Sequence, residues 1–149
     1  MPRPTLSLKG RALKLLAQRD HSRLELRRKL LPHAEEPETL DALLDELAAR
    51  NWLSEERFAE QLALRRGRRF GLQRVRHELS QHRLDAEVVA PLLDELKRTE
   101  RQRALEVWTR RFGALPVEAA ERAKQQRFLM QRGFSSDAIG WILKGAPDD

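Results

Sequence analysis

Between Arg65 and Arg76 the chain places six arginines in twelve residues without one acid: Arg65, Arg66, Arg68, Arg69, Arg74 and Arg76, interrupted by Gly67 and Gly71. A guanidinium is planar, permanently charged and able to grip phosphate or carboxylate with two parallel hydrogen bonds, so the chemistry such a run offers is anion recognition rather than proton transfer. These six are candidate partner- or DNA-binding residues. A face this basic should seek a nucleic-acid backbone or an acidic groove on another protein, and either would show steep salt dependence. The competing reading is that the arginines are solvated or paired with Glu56, Glu60 and Glu78 on neighbouring turns. A second basic surface is expected where Arg23, Arg27, Arg28 and Lys29 face away from Leu26 and Leu30, and Arg27 and Arg28 join the candidate set. From Arg98 to Asp149 ten basic residues face seven acidic ones, a mild excess.

Other chemistry is poorly supported. The four histidines, His21, His33, His77 and His82, form no HxxxH pair, and the spacing of His77 and His82 puts them on different helix faces, so no metal site is expected. With no cysteine there is no thiol nucleophile, thiolate zinc site or disulfide framework. There is no phosphate-binding glycine loop and no GxSxG elbow, and the paired acids Asp45-Glu46 and Asp94-Glu95 diverge on a helix. No catalytic residue and no cofactor is expected. Trp52, Trp108 and Trp141 each sit beside an apolar stripe residue and read as packing, with base stacking the less favoured use.

The 149 residues carry 29 basic and 23 acidic side chains, a net charge of +6, and 23 of the basic residues are arginine. A GC-rich genome would give the same bias through its codons. No apolar run approaches the roughly 20 residues a membrane-spanning helix needs. Met1-Pro2-Arg3-Pro4 is followed by no apolar signal core, so a cytoplasmic protein, monomeric and without a membrane partner, is expected.

The elements that must position the arginines are helical, because apolar residues recur at helical spacing almost everywhere and strict alternation is missing. The pentapeptide Leu43-Leu44-Asp45-Glu46-Leu47 recurs at Leu92-Leu93-Asp94-Glu95-Leu96, an offset that also carries Arg19 onto Arg68 and Leu30 onto Leu79. A weaker third copy puts Val89, Leu92 and Leu93 on Ile139, Ile142 and Leu143. The expected fold is all-α: three tandem three-helix repeats, at 1–53, 54–97 and 98–149, in an elongated array with room for curvature. Ser22, with Glu25 completing a capping box, Ser54, Asp85 and Ser135 or Ser136 are expected helix caps. Pro37 suits a first helical turn, Pro116 should open a long helix to Gln131, and Pro91 should force a kink or restart near Ala90.

Three groups of residues carry a resemblance. They are Arg19-Asp20-His21-Ser22 with Glu25-Leu26 and Lys29-Leu30; Trp52-Leu53-Ser54-Glu55-Glu56-Arg57-Phe58-Ala59 leading to Gly71 and Glu78-Leu79; and Phe128-Leu129-Met130-Gln131-Arg132-Gly133-Phe134-Ser135. In order and separation this resembles RecX, the bacterial regulator of the RecA recombinase, over nearly the whole chain. Ser54-Glu55 stands where that family often has paired acids, and a serine cap does the same local work. The resemblance implies tandem three-helix repeats, a RecA filament on DNA as partner, and inhibition of ATP hydrolysis, strand exchange and repressor cleavage; weak binding to single- or double-stranded DNA is expected on this reading and on its alternative alike. The alternative is a free-standing basic DNA-binding protein that uses the short helix after Gly71 for recognition.

Overall fold

Four serines begin helices by the same local chemistry. A serine hydroxyl accepts the amide three residues on, at Ser7 from Gly10, Ser22 from Glu25, Ser54 from Arg57 and Ser135 from Ala138; each such cap is worth about 1 kcal/mol. The structure, a computed structural model, describes residues 5–148. Among them are nine α-helices and no strand: α1 (Leu8–Gln18), α2 (Arg23–Leu30), α3 (Pro37–Ala49), α4 (Glu55–Gly67), α5 (Leu72–Ser80), α6 (Ala86–Arg98), α7 (Glu100–Arg111), α8 (Ala119–Gln131) and α9 (Ser136–Leu143). The all-helical class and the three-by-three organisation are as the periodicity predicts. In the third repeat, however, the short helix comes last rather than in the middle.

Three local expectations are corrected. Of the kink or restart expected at Pro91, the restart does not occur, since α6 runs through it; the carbonyl that Pro91 deprives of a partner belongs to Glu87, an exposed residue. Helix α8 starts at Ala119, not Pro116, because the buried Gln125 amide donates to the Ala114 carbonyl at 3.1 Å and pins the preceding segment against the side of the helix. Ser22 caps α2, but Glu25 does not close a capping box. Its two carboxylate oxygens are taken by Arg19 at 3.0 and 2.6 Å.

The chain divides into two compact units, one holding the residues up to Ala59 with His82–Leu84, the other Glu60–Gln81 with everything from Asp85 on. In the first, Ala12, Leu26, Leu30, Leu40, Leu43, Leu44, Leu47 and Leu53 make the core. His21 and Ser22 are buried beside it, and the Ser22 hydroxyl also meets His82 Nδ1 at 2.7 Å. Trp52, expected to serve packing, is 41% exposed, and Arg50 and Lys9 lie over its ring, 5.0 and 6.0 Å from its centroid.

His21 makes the first unit sensitive to pH. Its Nδ1 lies 3.0 Å from the Arg19 carbonyl, and its Nε2 accepts from Lys29 Nζ at 3.1 Å, a pattern only the neutral ring satisfies on both sides. Burial pushes its pKa below the ordinary value; the Arg19 carbonyl and the Glu25 carboxylate pull the other way, and the Arg19 and Lys29 charges add to the lowering. The unfolded chain takes up this proton near pH 6.5 and the folded chain resists it, so the stabilisation is present above about 6.5 and lost as pH falls through the lower folded value. Glu25, also held low, titrates in a more acidic window. Urea unfolding at pH 7.5 and 5.5 should show the wild type losing stability at the lower pH and His21→Gln losing less.

In the second unit, Ala104, Val107, Trp108, Leu129, Phe134, Ala138, Ile139, Ile142 and Leu143 form a core, and Leu62, Ala63, Phe70, Val75, Leu79 and Leu96 are buried on the second repeat. Glu100 is the buried acid that ties these helices together. Its carboxylate accepts from the Leu72 amide at the start of α5 at 2.8 Å and from the Ser135 amide before α9 at 3.3 Å, the favourable place for a negative charge at both helix dipoles.

Candidate functional site

The C-terminal end of α4 assembles the site. A helix end leaves carbonyls unpaired and carries partial negative charge, so it attracts cations. In the turn that follows, four successive carbonyls accept from arginines of the third repeat. Gly67 and Phe70 each accept from Arg103 Nη1 at 2.8 Å, Arg68 from Arg110 Nη2 at 3.2 Å, and Arg69 from Arg132 Nη1 at 3.2 Å. Arg103 lies deepest and also donates to the Leu96 carbonyl at 2.6 Å and to Thr99 Oγ1 at 3.0 Å. Burial lowers its pKa, with Glu100 opposing. It is a structural staple.

The others face an opening. Arg65, Arg68 and Arg69 from the second repeat and Arg110, Arg111 and Arg132 from the third line a cleft of about 560 Å3 over Val107 and Phe128. No acid lines it, and among the described residues none of these six arginines is in an ion pair. Aromatic rings lie against several of the guanidinium groups. The buried Phe70 has Arg74, Arg66, Arg132 and Arg69 at 4.1, 4.2, 5.2 and 5.8 Å from its centroid, and Phe128 has Arg132 and Arg111 at 5.0 and 5.5 Å. Neutral carbonyls and rings hold Arg69, Arg110, Arg111 and Arg132 in place and leave their charge unbalanced. The Arg132 pKa is accordingly lowered, first by burial and then by repulsion from Arg69, Arg74, Arg111 and Arg110. An anion entering the cleft relieves that repulsion, so the arrangement is prepared for phosphate or carboxylate.

Of the sequence-predicted residues, the fold brings Arg65, Arg68 and Arg69 into this cleft. Arg66 is diverted to Glu78, which it grips with Nε and Nη2 at 3.0 and 2.7 Å. Arg74 stacks on Phe70 and lies 3.4 Å from the Gln131 carbonyl; Arg76 is exposed on α5. Neither lines the cleft. In the first unit Arg27 is bound to Asp41 at 2.9 Å and Arg23 to Asp45 at 2.8 Å, which leaves Arg28 exposed beside them on α2. The paired-arginine reading therefore holds for Arg66, through Glu78. Gly67 and Gly71, read as a break in the arginine run, both serve packing: a Cβ on Gly67 would sit 3.0 Å from Leu96 Cδ2, and one on Gly71 would strike the Gly133 carbonyl.

Arg110, Arg111 and Arg132 are missing from the candidate set. One signal was available for the first two: Arg65-Arg66-Gly67 and Arg110-Arg111-Phe112-Gly113 place an arginine pair and a glycine at equivalent helix ends.

Family models for the first, second and third three-helix domains of RecX match residues 9–47, 54–93 and 99–143. The chain belongs to the RecX family. It is 53% identical over 142 residues to the regulatory protein RecX of Leptothrix cholodnii, covering 95% of this chain and 90% of that one. Against the regulatory protein RecX of Ralstonia pickettii it is 50% identical over 148 residues, 99% and 93% of the two chains. The regulatory protein RecX of Neisseria meningitidis serogroup C is 38% identical over 147 residues, again nearly full length in both, 99% and 95%. The cleft falls wholly within the second and third RecX domains, with Arg65, Arg68 and Arg69 in one and Arg110, Arg111 and Arg132 in the other. Among the described residues no helix is long and apolar enough to cross a membrane.

Proposed function

We propose that this chain is a cytoplasmic, non-catalytic negative regulator of RecA that seats in the groove of the RecA–DNA filament and inhibits its ATPase, strand-exchange and repressor-cleavage activities. The observation that carries the reading is the arginine cleft, which no acid lines and in which neutral carbonyls and rings hold Arg69, Arg110, Arg111 and Arg132. The three repeats, taken as 1–53, 54–97 and 98–149, would supply a body that lies along the groove, occupying space a second DNA or a repressor needs. Arg65, Arg68 and Arg69, with Arg110, Arg111 and Arg132, make the main anionic contact; Arg74 and Arg76 flank it, and Arg28 offers a lesser contact in the first repeat. Arg66 and Arg27 support the surface through their acids.

Co-sedimentation tests this directly. The purified chain should pellet with RecA only when single-stranded DNA and a non-hydrolysable ATP analogue are both present. Equal recovery with DNA alone would instead favour a free-standing DNA-binding protein.

A further inference from the structure

Beside the arginine cleft runs a second groove of about 530 Å3, formed by α4, α6 and α7, and Arg68 lines both. Its walls are aliphatic, from Ala63, Leu64, Leu92 and Leu96. Leu64 stands at 64% exposure, the highest of any leucine among the described residues. Gly67 lies in its lining, where a Cβ would press on Leu96. The volume falls in the range of clefts that take ligand groups, about 300–1,000 Å3.

We propose that this groove receives a large apolar side chain of a protein partner, from a segment whose neighbouring carboxylate reaches Arg68, and that this contact distinguishes a protein-coated filament from bare nucleic acid. The inference rests on the filament reading above and assigns the protein side of that contact. A nucleic acid gains little here. Its bases need flat rings to stack on, and no aromatic residue lines the groove. Glu60 and Glu95 also stand in its lining, the second of them held by Arg98 at 2.6 Å. A phosphodiester chain, charged at every unit, would meet Glu60, whereas a peptide can carry its one acid at the Arg68 end alone. A second copy of this chain is disfavoured too, because it would set one arginine-rich flank against another. A peptide segment with a protruding aliphatic or aromatic side chain and a single carboxylate next to it meets both surfaces at once. The apolar group fills the groove, and the acid answers the cation shared with the cleft.

Leu64→Gln in the full chain separates these occupants, since the side chain is exposed and glutamine is a good helix former that adds no charge beside Arg68. The probes are an oligo(dT) strand alone and RecA assembled on that strand with a non-hydrolysable ATP analogue. Leu64→Gln should bind the bare strand as the wild type does, within about twofold, and lose at least about tenfold in affinity for the filament; Leu64→Met should keep both. Undiminished filament binding by Leu64→Gln, with the wild type bound, overturns the groove assignment and leaves the filament reading intact. An equal loss on bare strand and filament, with circular dichroism and melting unchanged, makes nucleic acid the occupant and also overturns it. A wild-type dimer that Leu64→Gln dissociates makes a second copy the occupant and overturns it as well. A wild-type chain that ignores the filament overturns both the groove assignment and the filament reading beneath it.

Discussion

Alanine at Arg69, Arg110, Arg111 and Arg132 together will weaken binding to the RecA–DNA filament by at least about 100-fold, while helical content stays as in the wild type. Each guanidinium lines the cleft without an acid partner, and a charge-assisted hydrogen bond contributes about 1.5–3 kcal/mol, so even strongly non-additive losses exceed two decades. The carbonyls that Arg110 and Arg132 leave behind, on Arg68 and Arg69, belong to exposed residues and can be hydrated. Salt dependence supplies a second readout. If the four meet phosphates of single-stranded DNA, the slope of log affinity against log salt should shrink by about three, at roughly 0.7 per contact. Arg27→Ala with Arg28→Ala should change binding far less, because Arg27 already spends its charge on Asp41. Equal losses from the two sets would move the site off the cleft.

The second large effect is on folding. Gly71→Ala should cost the second unit roughly 3 kcal/mol, the upper range for forcing atoms into a closed space, and lower its melting temperature by about 10–20 °C. The Gly71 amide donates to the Arg132 carbonyl at 2.8 Å, and an added Cβ would run into the Gly133 carbonyl and the Phe134 amide, which are backbone and not a side chain that can swing away. Gly133 cannot yield. Its φ of 85° suits glycine, and its own Cβ position lies 2.7 Å from Arg74 Cβ. Glu100 locks both sides through Leu72 and Ser135. Gly140→Ala is the control: nothing lies within 4 Å of its added Cβ, and alanine in the interior of α9 should be neutral or stabilising by up to about 1 kcal/mol. A Gly71→Ala protein that melts with the wild type would mean the α5 start and the α8–α9 turn are not in the contact described.

Local chemistry was legible from the residues, and non-local chemistry was not. Ser22, Ser54 and Ser135 cap helices because a serine acts on amides three residues away, and the leucine stripes of α2 and α3 follow from period alone. Pro91 did not restart its helix and Pro116 did not open one, since the first frees only a carbonyl of the exposed Glu87 and the second follows a residue, Ala114, whose carbonyl is held by Gln125. Half of the cleft was visible as a run of arginines. Its completion depends on the end of α4 collecting Arg110 and Arg132 from 42 and 63 residues away. The same distance effect removed Arg66 and Arg27, whose acids Glu78 and Asp41 lie 12 and 14 residues along the chain.

The ATPase of RecA on single-stranded DNA reports whether an unbalanced arginine cleft engages the recombinase filament. With the wild-type chain, turnover should fall at well below one molecule per RecA subunit, and the Arg69, Arg110, Arg111, Arg132 alanine variant should need far more to reach the same inhibition. Turnover unchanged by an excess of the wild-type chain, or lost equally to the variant, would contradict that engagement.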